Sequence, residues 1–478
     1  MISISNRPGS SLNVTIIGGG LHGSLTALLL AGDGHRVTIL ERDPSVAPTQ
    51  PADAYDEWDR TGVGQFRMIH SFLARFRQEL DEHLPDVAAA LDAAGALRYN
   101  PAVNAPEAIS GPIRTDDGRF ELLTGRRPVI EAAIQRVVDA HPQVVVHRGV
   151  TVLGFELDND GAVPHVRSVA TDEGQFTADL VVDCSGRRSQ TPEMLAAAGG
   201  IEVREEIEDS GFVYYGRHYR SGDGSIPPML GGALQHYDSM STLTLPADNG
   251  TWGVGLVTSG RDKAARALRD PDVWERVWGS FPLVAHWADA QPITDVQVMA
   301  KLPDRRRDYV VDGTPVVTGL IAVGDAWACT NPSLGRGASI GLMHAVALRD
   351  HLRLSDVTNS AGFAVAWQTT TDQRVGPFYE DTLNLDRHRL ATIECQINGT
   401  RYETDDPRWF FASTLGSVYA ADPELFRAYL DVVLLLELGA DVAARPGVMD
   451  RLAELAPAAE SLPGPDRSAL EEMLLASV

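Results

Sequence analysis

Short apolar blocks, most of them closed by glycine or an acid, set the rhythm of this chain. The first runs from Asn13 to Ile17 and leads into Gly18-Gly19-Gly20-Leu21-His22-Gly23. An apolar run through Leu30 then predicts a helix, and Arg36 to Leu40 predicts a second strand closed by Glu41. Phe72, Leu73, Phe76 and Leu80 fall at helical spacing, with a stop near Pro85 and a further helix from Asp86 to Ala94. Residues 101–118 predict a loop. Pro128 suits the first turn of a helix whose apolar face is Val129, Ile130, Ala133, Ile134 and Val137. Val144 to Val146 and Thr151 to Phe155 predict strands, and Val166 to Ala178 a hairpin turning at Asp172-Glu173-Gly174. Leu180 to Asp183 has the pattern of a buried strand, ending in the small-residue turn Cys184-Ser185-Gly186.

From about residue 206 to residue 304 the texture changes. Phe212 to Arg220 reads as an aromatic strand, and Ala233 to Leu245 and Thr251 to Val257 as further strands between glycine turns. This predicts a separate, mostly antiparallel layer. One side of such a strand packs a core while the other can line a cavity, and both readings stand for Tyr214 and Tyr215. Arg261 to Leu268 and Trp274 to Trp287 predict helices. Asp304-Arg305-Arg306-Arg307-Asp308 predicts a solvated loop. Val316 to Val323 is another buried strand, followed by Gly324-Asp325-Ala326-Trp327, the stretch Pro332 to Gly337, and a helix from Ala338 to Leu352. The remainder predicts helices, with Leu425 to Leu438 its clearest apolar segment.

Composition narrows the class. At 478 residues and 44% hydrophobic content, the chain has material for two or three domains. A formal charge of -24 argues against nucleic acid and anionic lipid as partners. No apolar run reaches the roughly 20 residues that span a bilayer. The polar start, Met1 to Ser11, carries no signal region, so the expected location is cytoplasmic. Cys184, Cys329 and Cys395 are far apart, which predicts reduced thiols and no metal site.

The chemistry sits at three strand ends. In the first, strand, glycines, helix, strand and acid follow in the order of a dinucleotide fingerprint. Gly18 allows a sharp turn, Gly20 allows close approach of a pyrophosphate, and Gly23 allows tight helix packing. Unpaired N–H groups at the helix start face the phosphates, and Glu41 can accept both hydroxyls of an adenosine ribose. Asp183 with Gly186, and Gly324 with Asp325, repeat the arrangement of strand, acid and small-residue turn. Three such ends suit one long ligand lying extended across a sheet.

At this point the sequence resembles the flavin-dependent monooxygenases of the aromatic-hydroxylase, p-hydroxybenzoate hydroxylase-like superfamily. Gly18, Gly20 and Gly23 match its first motif, Asp183 and Gly186 its middle Asp-Gly motif, and Gly324 and Asp325 its late Gly-Asp motif. Gly62 to His70, Asp209 to Arg217 and Asn331-Pro332 are similar to bacterial secondary-metabolism flavoproteins that include polyketide epoxidases. The resemblance implies an α/β fold: a glutathione-reductase-like FAD-binding domain, an inserted, mostly antiparallel β substrate domain, and a C-terminal helical region. The expected boundaries are residues 11–205 and 305–355 for the first, 206–304 for the second and 356–478 for the third. It implies that Glu41 holds the adenosine ribose, with Arg42 beside it in the cofactor set. Arg126 would reach the phosphate or ribityl region, and Asp325 would hold the ribityl or pyrophosphate. Pro332 through Gly337 would pack against the isoalloxazine, with N–H groups from Gly335 and its neighbours stabilising negative charge near N1 and O2.

The implied activity is transfer of one oxygen atom from a C4a-hydroperoxyflavin to an apolar small molecule, by epoxidation or hydroxylation, in secondary metabolism such as antibiotic biosynthesis. Epoxidation has no obligatory protein base. Hydroxylation of a phenol gains from one, and His70 and His218 are the candidates. Tyr214, Tyr215 and Trp327 are candidate cavity walls. Electrons would come from NADPH or NADH, directly or through a separate flavin reductase. Three alternatives are a flavin-dependent halogenase, a flavin-dependent reductase or dehydrogenase without oxygen insertion, and a non-catalytic flavin-binding partner protein. The Trp-x-Trp-x-Ile-Pro signature of the halogenases is absent, and no catalytic lysine is clearly placed.

Overall fold

The structure, a computed structural model, describes residues 11–458 and 461–476; Met1 to Ser10 of the polar start lie outside the described residues. A five-stranded parallel sheet runs in the order Leu320–Ala322, Leu180–Asp183, Asn13–Ile17, Arg36–Glu41, Val144–Arg148. Its strands are nearly continuous apolar runs because both faces are covered. Val14 and Ile16 pack with the helices Leu21–Gly32, Arg127–Ala140 and Gly337–Leu354, while Ile17, Val181 and Leu320 pack into a second core on the other face. The register sets Ile17 and Ala322 on either side of Asp183. Three strands therefore end at one edge, and Gly18, Cys184 and Gly324 leave the sheet side by side.

A six-stranded antiparallel sheet is inserted between these strands in sequence. Phe212–Arg220 is paired along its full length with Thr251–Ser259 on one side and with the two short strands Gln291–Pro292 and Gln297–Ala300 on the other. Its back face carries Tyr215, Tyr219 and Trp252, closed by Trp274, Trp278 and Trp287. The last helix, Arg467–Leu475, returns to that core through Leu470 and Leu474. The chain is thus an α/β domain, an inserted, mostly antiparallel β domain, and a C-terminal helical region that packs on both. Among the described residues no helix is long and apolar enough to cross a membrane.

Several elements depart from the sequence expectation; the helix expected over Arg261 to Leu268 is a 3₁₀ turn, Ala264–Arg269, and the strand expected over Val316 to Val323 is only Leu320–Ala322. Asp304 to Asp308 is not a solvated loop but lies within the strand Pro303–Asp308, paired with Arg204–Asp209. Arg307 is fully buried there, and its Nε donates to Glu205 at 2.5 Å. Charge on that segment is matched across the strands, so it does not need solvent. The helix expected from Trp274 to Trp287 is Pro271–Trp278, because Gly279 and Pro282 interrupt it before a short 3₁₀ turn, Ala285–Ala288. The expected loop at residues 101–118 contains two short helices, Pro101–Asn104 and Glu107–Ser110, and the start of a 3₁₀ turn, Thr115–Phe120.

Candidate active site

The glycine turns form one side of a large cavity. Gly18 has φ +96°, a conformation that L side chains rarely adopt, and a Cβ there would press within 2.8 Å of the Cys184 carbonyl oxygen. A Cβ at Gly23 would lie 1.9 Å from the Gly18 carbonyl oxygen, so this glycine lets helix Leu21–Gly32 seat on the turn. Gly20 is different: nothing lies within 4 Å of where its Cβ would be, and it faces the cavity. It caps the helix without a side-chain partner, leaving first-turn N–H groups directed outward. Glu41 accepts the Gly19 N–H at 2.7 Å and the Arg60 guanidinium at 2.8 Å, so its carboxylate is fixed at the rim beside Arg42. Arg60 in turn pairs with buried Glu131 at 2.7 Å. Burial pushes the Glu131 carboxyl up, but Arg127 and Arg60 outweigh it and hold it below the usual carboxylate range.

Asp183 is fully buried and folds the second turn instead of facing the cavity. It accepts the Ser185 N–H at 2.9 Å, the Ser185 hydroxyl at 2.5 Å and the Ser189 hydroxyl. The surface it presents is Cys184, Ser185 and Gly186, the last with φ +81° and open space beside it. At the third strand end, Gly324 has φ +65°, and its Cβ would lie 2.5 Å from His22 Nδ1. A Cβ at Gly341 would lie 2.1 Å from His22 Nε2. The two glycines therefore hold the imidazole between them, and its Nδ1 lies 3.8 Å from Asp325. Burial pushes the His22 pKa below its ordinary value despite that carboxylate. Gly335, at φ +65°, and Gly337 both border open space. The Gly335 N–H is spent on the Pro332 carbonyl at 2.9 Å, which leaves the outward N–H groups to the first turn of Gly337–Leu354.

This cradle continues into a space of about 1260 Å³ that reaches from Glu41 to Asp466. Tyr214 lines it, and its hydroxyl donates to Asn331 Oδ1 at 2.5 Å. Tyr215, the next residue on the strand, points into the core behind the sheet, as alternation dictates. Trp327 is also core: it packs against His344 and Tyr379 and does not reach the cavity. His70 is at the wall, its Nδ1 2.8 Å from the Met68 carbonyl, and burial with Arg127 pushes it down to about 4. His218 lies behind the wall against Tyr55, and burial, Arg126 and His70 push it down to about 3. The structure does not bring it to the cavity. Arg126 is likewise turned away. Its guanidinium grips fully buried Asp248 at 2.7 Å, and the neighbouring Arg127 stands at the cavity instead.

The C-terminal region supplies the rest of the wall. Asp386, on the helix Gly376–Ile397, accepts the Ser333 hydroxyl next to the Pro332 turn, and its second carboxylate oxygen is buried without a partner among the described residues. Burial pushes it up to about 7, and nearby Asp304 adds to the effect against the Ser333 hydrogen bond. Asp304 itself is pushed up to about 6 by burial, although it accepts the Asn331 N–H at 2.6 Å. A helix stripe of polar residues one turn apart was the only sequence signal for this wall. The described residues hold no cluster of acids, histidines and cysteines able to bind a metal ion.

Residues 13–54 match the family described as FAD dependent oxidoreductase. Over 394 residues the chain is 28% identical to Protein Rv3254 of Mycobacterium tuberculosis, covering 77% of this chain and 78% of that protein. The fold is similar to CmlS, a flavin-dependent halogenase, with 16% identity, a TM-score of 0.60, and coverage of 94% of this chain and 78% of that one. It is similar also to OxyS, the anhydrotetracycline hydroxylase of Streptomyces rimosus, with 18% identity, a TM-score of 0.55, and coverage of 90% and 77%. The chain therefore shares its fold with both of these proteins, one a flavin-dependent halogenase and the other a hydroxylase, and the fold alone does not choose between them. The open space at Gly20, Gly186, Gly335 and Gly337 fits a bound dinucleotide, and with the matched segment it supports FAD as the cofactor.

Proposed function

We propose that the protein is an FAD-dependent monooxygenase that epoxidises or hydroxylates a largely apolar small molecule in secondary metabolism. The observation that carries this reading is the continuity of the glycine cradle with one deep, mostly apolar cavity. Residues 11–205 with 305–355 would hold the cofactor, residues 206–304 and 356–478 the substrate. Gly18 to Gly23, Glu41 and Arg42 would hold the adenosine half of FAD, Asp325 its ribityl chain, and Pro332 to Gly337 its ring system. When bound, FAD would supply the oxygen-activating chemistry. The chain's own task is then to exclude water and to hold the substrate beside the ring. Asp386 and His70 are the groups at the wall suited to moving a proton: Asp386 changes protonation near neutrality, while His70 stays neutral there.

The halogenase reading is supported by the shared fold, and the side chains weigh against it. Lys263 and Lys301 are both exposed and neither lines the cavity, so none of the described residues offers a lysine there. The test is turnover of alkene and phenol libraries with FAD, a flavin reductase, NADH or NADPH, and isotopically heavy dioxygen, with bromide and chloride present. One heavy oxygen atom in the product is the expected result. A halogenated product, or a reduced product made without oxygen, would replace the reading.

A further inference from the structure

The helix Gly376–Ile397 turns Asp386, Arg389, Thr392 and Gln396 toward the cavity at three- and four-residue spacing. Asp386 stands next to the Pro332 turn, and Arg389 lies one turn farther along. Arg389 is 8% exposed. Its Nε donates to Ser241 Oγ at 3.2 Å, and its Nη2 donates to the Tyr237 and Met240 carbonyls at 3.1 and 2.8 Å. Nη2 is also 3.0 Å from Ser241 Oγ. Nη1 makes no hydrogen bond among the described residues.

Eight arginines are buried among the described residues: 60, 126, 217, 307, 336, 349, 389 and 427. Seven of them pair with a carboxylate within 4.0 Å. Arg389 alone lacks such a partner among the described residues. Asp238 is the acid whose charge reaches it, from beyond ion-pair distance, and Asp238 Oδ2 accepts the Arg467 N–H at 3.0 Å. His236, whose Nδ1 lies 2.9 Å from Ser241 Oγ, faces the same part of the cavity and carries no carboxylate to offset the guanidinium. A buried cation without a counter-ion is costly, and a guanidinium held by its Nε and Nη2 offers its remaining edge in a fixed direction. Burial pushes Arg389 down to about 9, which leaves it charged at neutral pH.

We propose that Arg389 is the anchor for a carboxylate carried by the otherwise apolar substrate. The inference rests on the reading of the cavity as a substrate site. The carboxylate would sit against Nη1, with Thr392 and Gln396 on the same helix face, and the apolar body would extend past Tyr214 toward the Pro332 turn. Substrate orientation would then come from the far end of the cavity.

The test is calorimetric titration with cinnamate, the neutral analogue cinnamamide, and sodium bromide, on the protein as purified and after FAD loading. Cinnamate is expected to bind at least about tenfold more tightly than cinnamamide. Arg389→Gln should bring the two affinities together by weakening cinnamate alone, and Arg389→Lys should keep part of the preference. Asp238→Asn, which leaves the guanidinium in place, should tighten cinnamate binding and leave cinnamamide unchanged. Equal affinities in the unaltered protein, no cinnamate binding at millimolar concentration, or a preference that survives Arg389→Gln would overturn the proposal. Displacement of cinnamate by bromide at equal concentration would reassign the site to a halide and overturn it as well. Because the preference is read with and without FAD and without turnover, its loss would leave the oxygenase reading standing. Failure of oxygen transfer would likewise leave this result unchanged.

Discussion

At one end of the cavity the backbone faces the space: Gly18, Gly186, Gly324 and Gly335 hold φ of +96°, +81°, +65° and +65°, each on its own turn. At the other end side chains face it: Tyr214 from the inserted sheet, Asp386 and Arg389 from one helix, and Tyr419 and Tyr429 from the later helical region. A site built from backbone tolerates little change in its glycines and keeps its shape when side chains nearby vary. A site built from side chains on separate elements can be re-cut by substitution while the fold stands. The difference means that the glycine turns can persist while the side-chain end varies.

The comparison can be broken experimentally, and the largest effect belongs to neither end. Asp248→Ala strands the Arg126 guanidinium in the interior and should lower stability by about 3–5 kcal/mol in urea unfolding. Folded protein should still retain FAD, since the pair lies behind the wall. Loss of cofactor from the folded fraction would return Arg126 to the cofactor site. Gly20→Val comes next. Its side chain enters open space, so the melting temperature of the FAD-free protein should stay near wild type while FAD affinity falls by about a hundredfold or more. Undiminished affinity would mean that the cradle is not where the pyrophosphate lies.

The third effect depends on pH. Below about 4, Asp386 is protonated in both the folded and the unfolded chain. Between that value and about 7 the folded chain alone keeps the proton, so stability should decline as pH rises through this window and level off above it. Asp386→Asn should remove that slope, by a few kcal/mol at most. A slope of equal size in the variant would assign it to another group. Asp325→Ala should weaken FAD by about tenfold, less than Gly20→Val, because a single polar contact is lost and no volume is filled. The smallest expected effect is that of Tyr214→Ala, which should weaken cinnamate or the true substrate by a few-fold while FAD affinity is unchanged. An unaltered substrate titration would place Tyr214 outside the contact surface.

Much of the glycine cradle was legible along the chain because its determinants are local. Gly18, Gly20 and Gly23 act within one turn, and Pro332, Gly335 and Gly337 within another, so their spacing carries their roles. Asp183 was legible as a strand-end acid, but its task differs: it is spent on Ser185 and Ser189. Arg126 and Arg127 are adjacent at a helix start, and a one-residue difference decides which faces the cavity. Composition gave no means to choose between them. His218 and Trp327 belong to apolar stretches whose two faces look alike in sequence, whereas Tyr214 and Tyr215 separate as soon as the strand has a front and a back.

What the sequence determined by itself was the alternation of buried strands with glycine turns and helices, hence the parallel sheet, the inserted antiparallel layer and the cradle at the strand ends. Those features follow from patterns of period two and 3.6 and from backbone conformations that only particular residues adopt. Tertiary structure alone decided which charges are paired and which face the cavity. Asp304 meets Asn331, Asp386 meets Ser333, and Arg389 meets the Tyr237 and Met240 carbonyls, each across tens or hundreds of residues. The charge of a buried group is settled by its desolvation and its neighbours, and those neighbours exist only once distant segments have packed together.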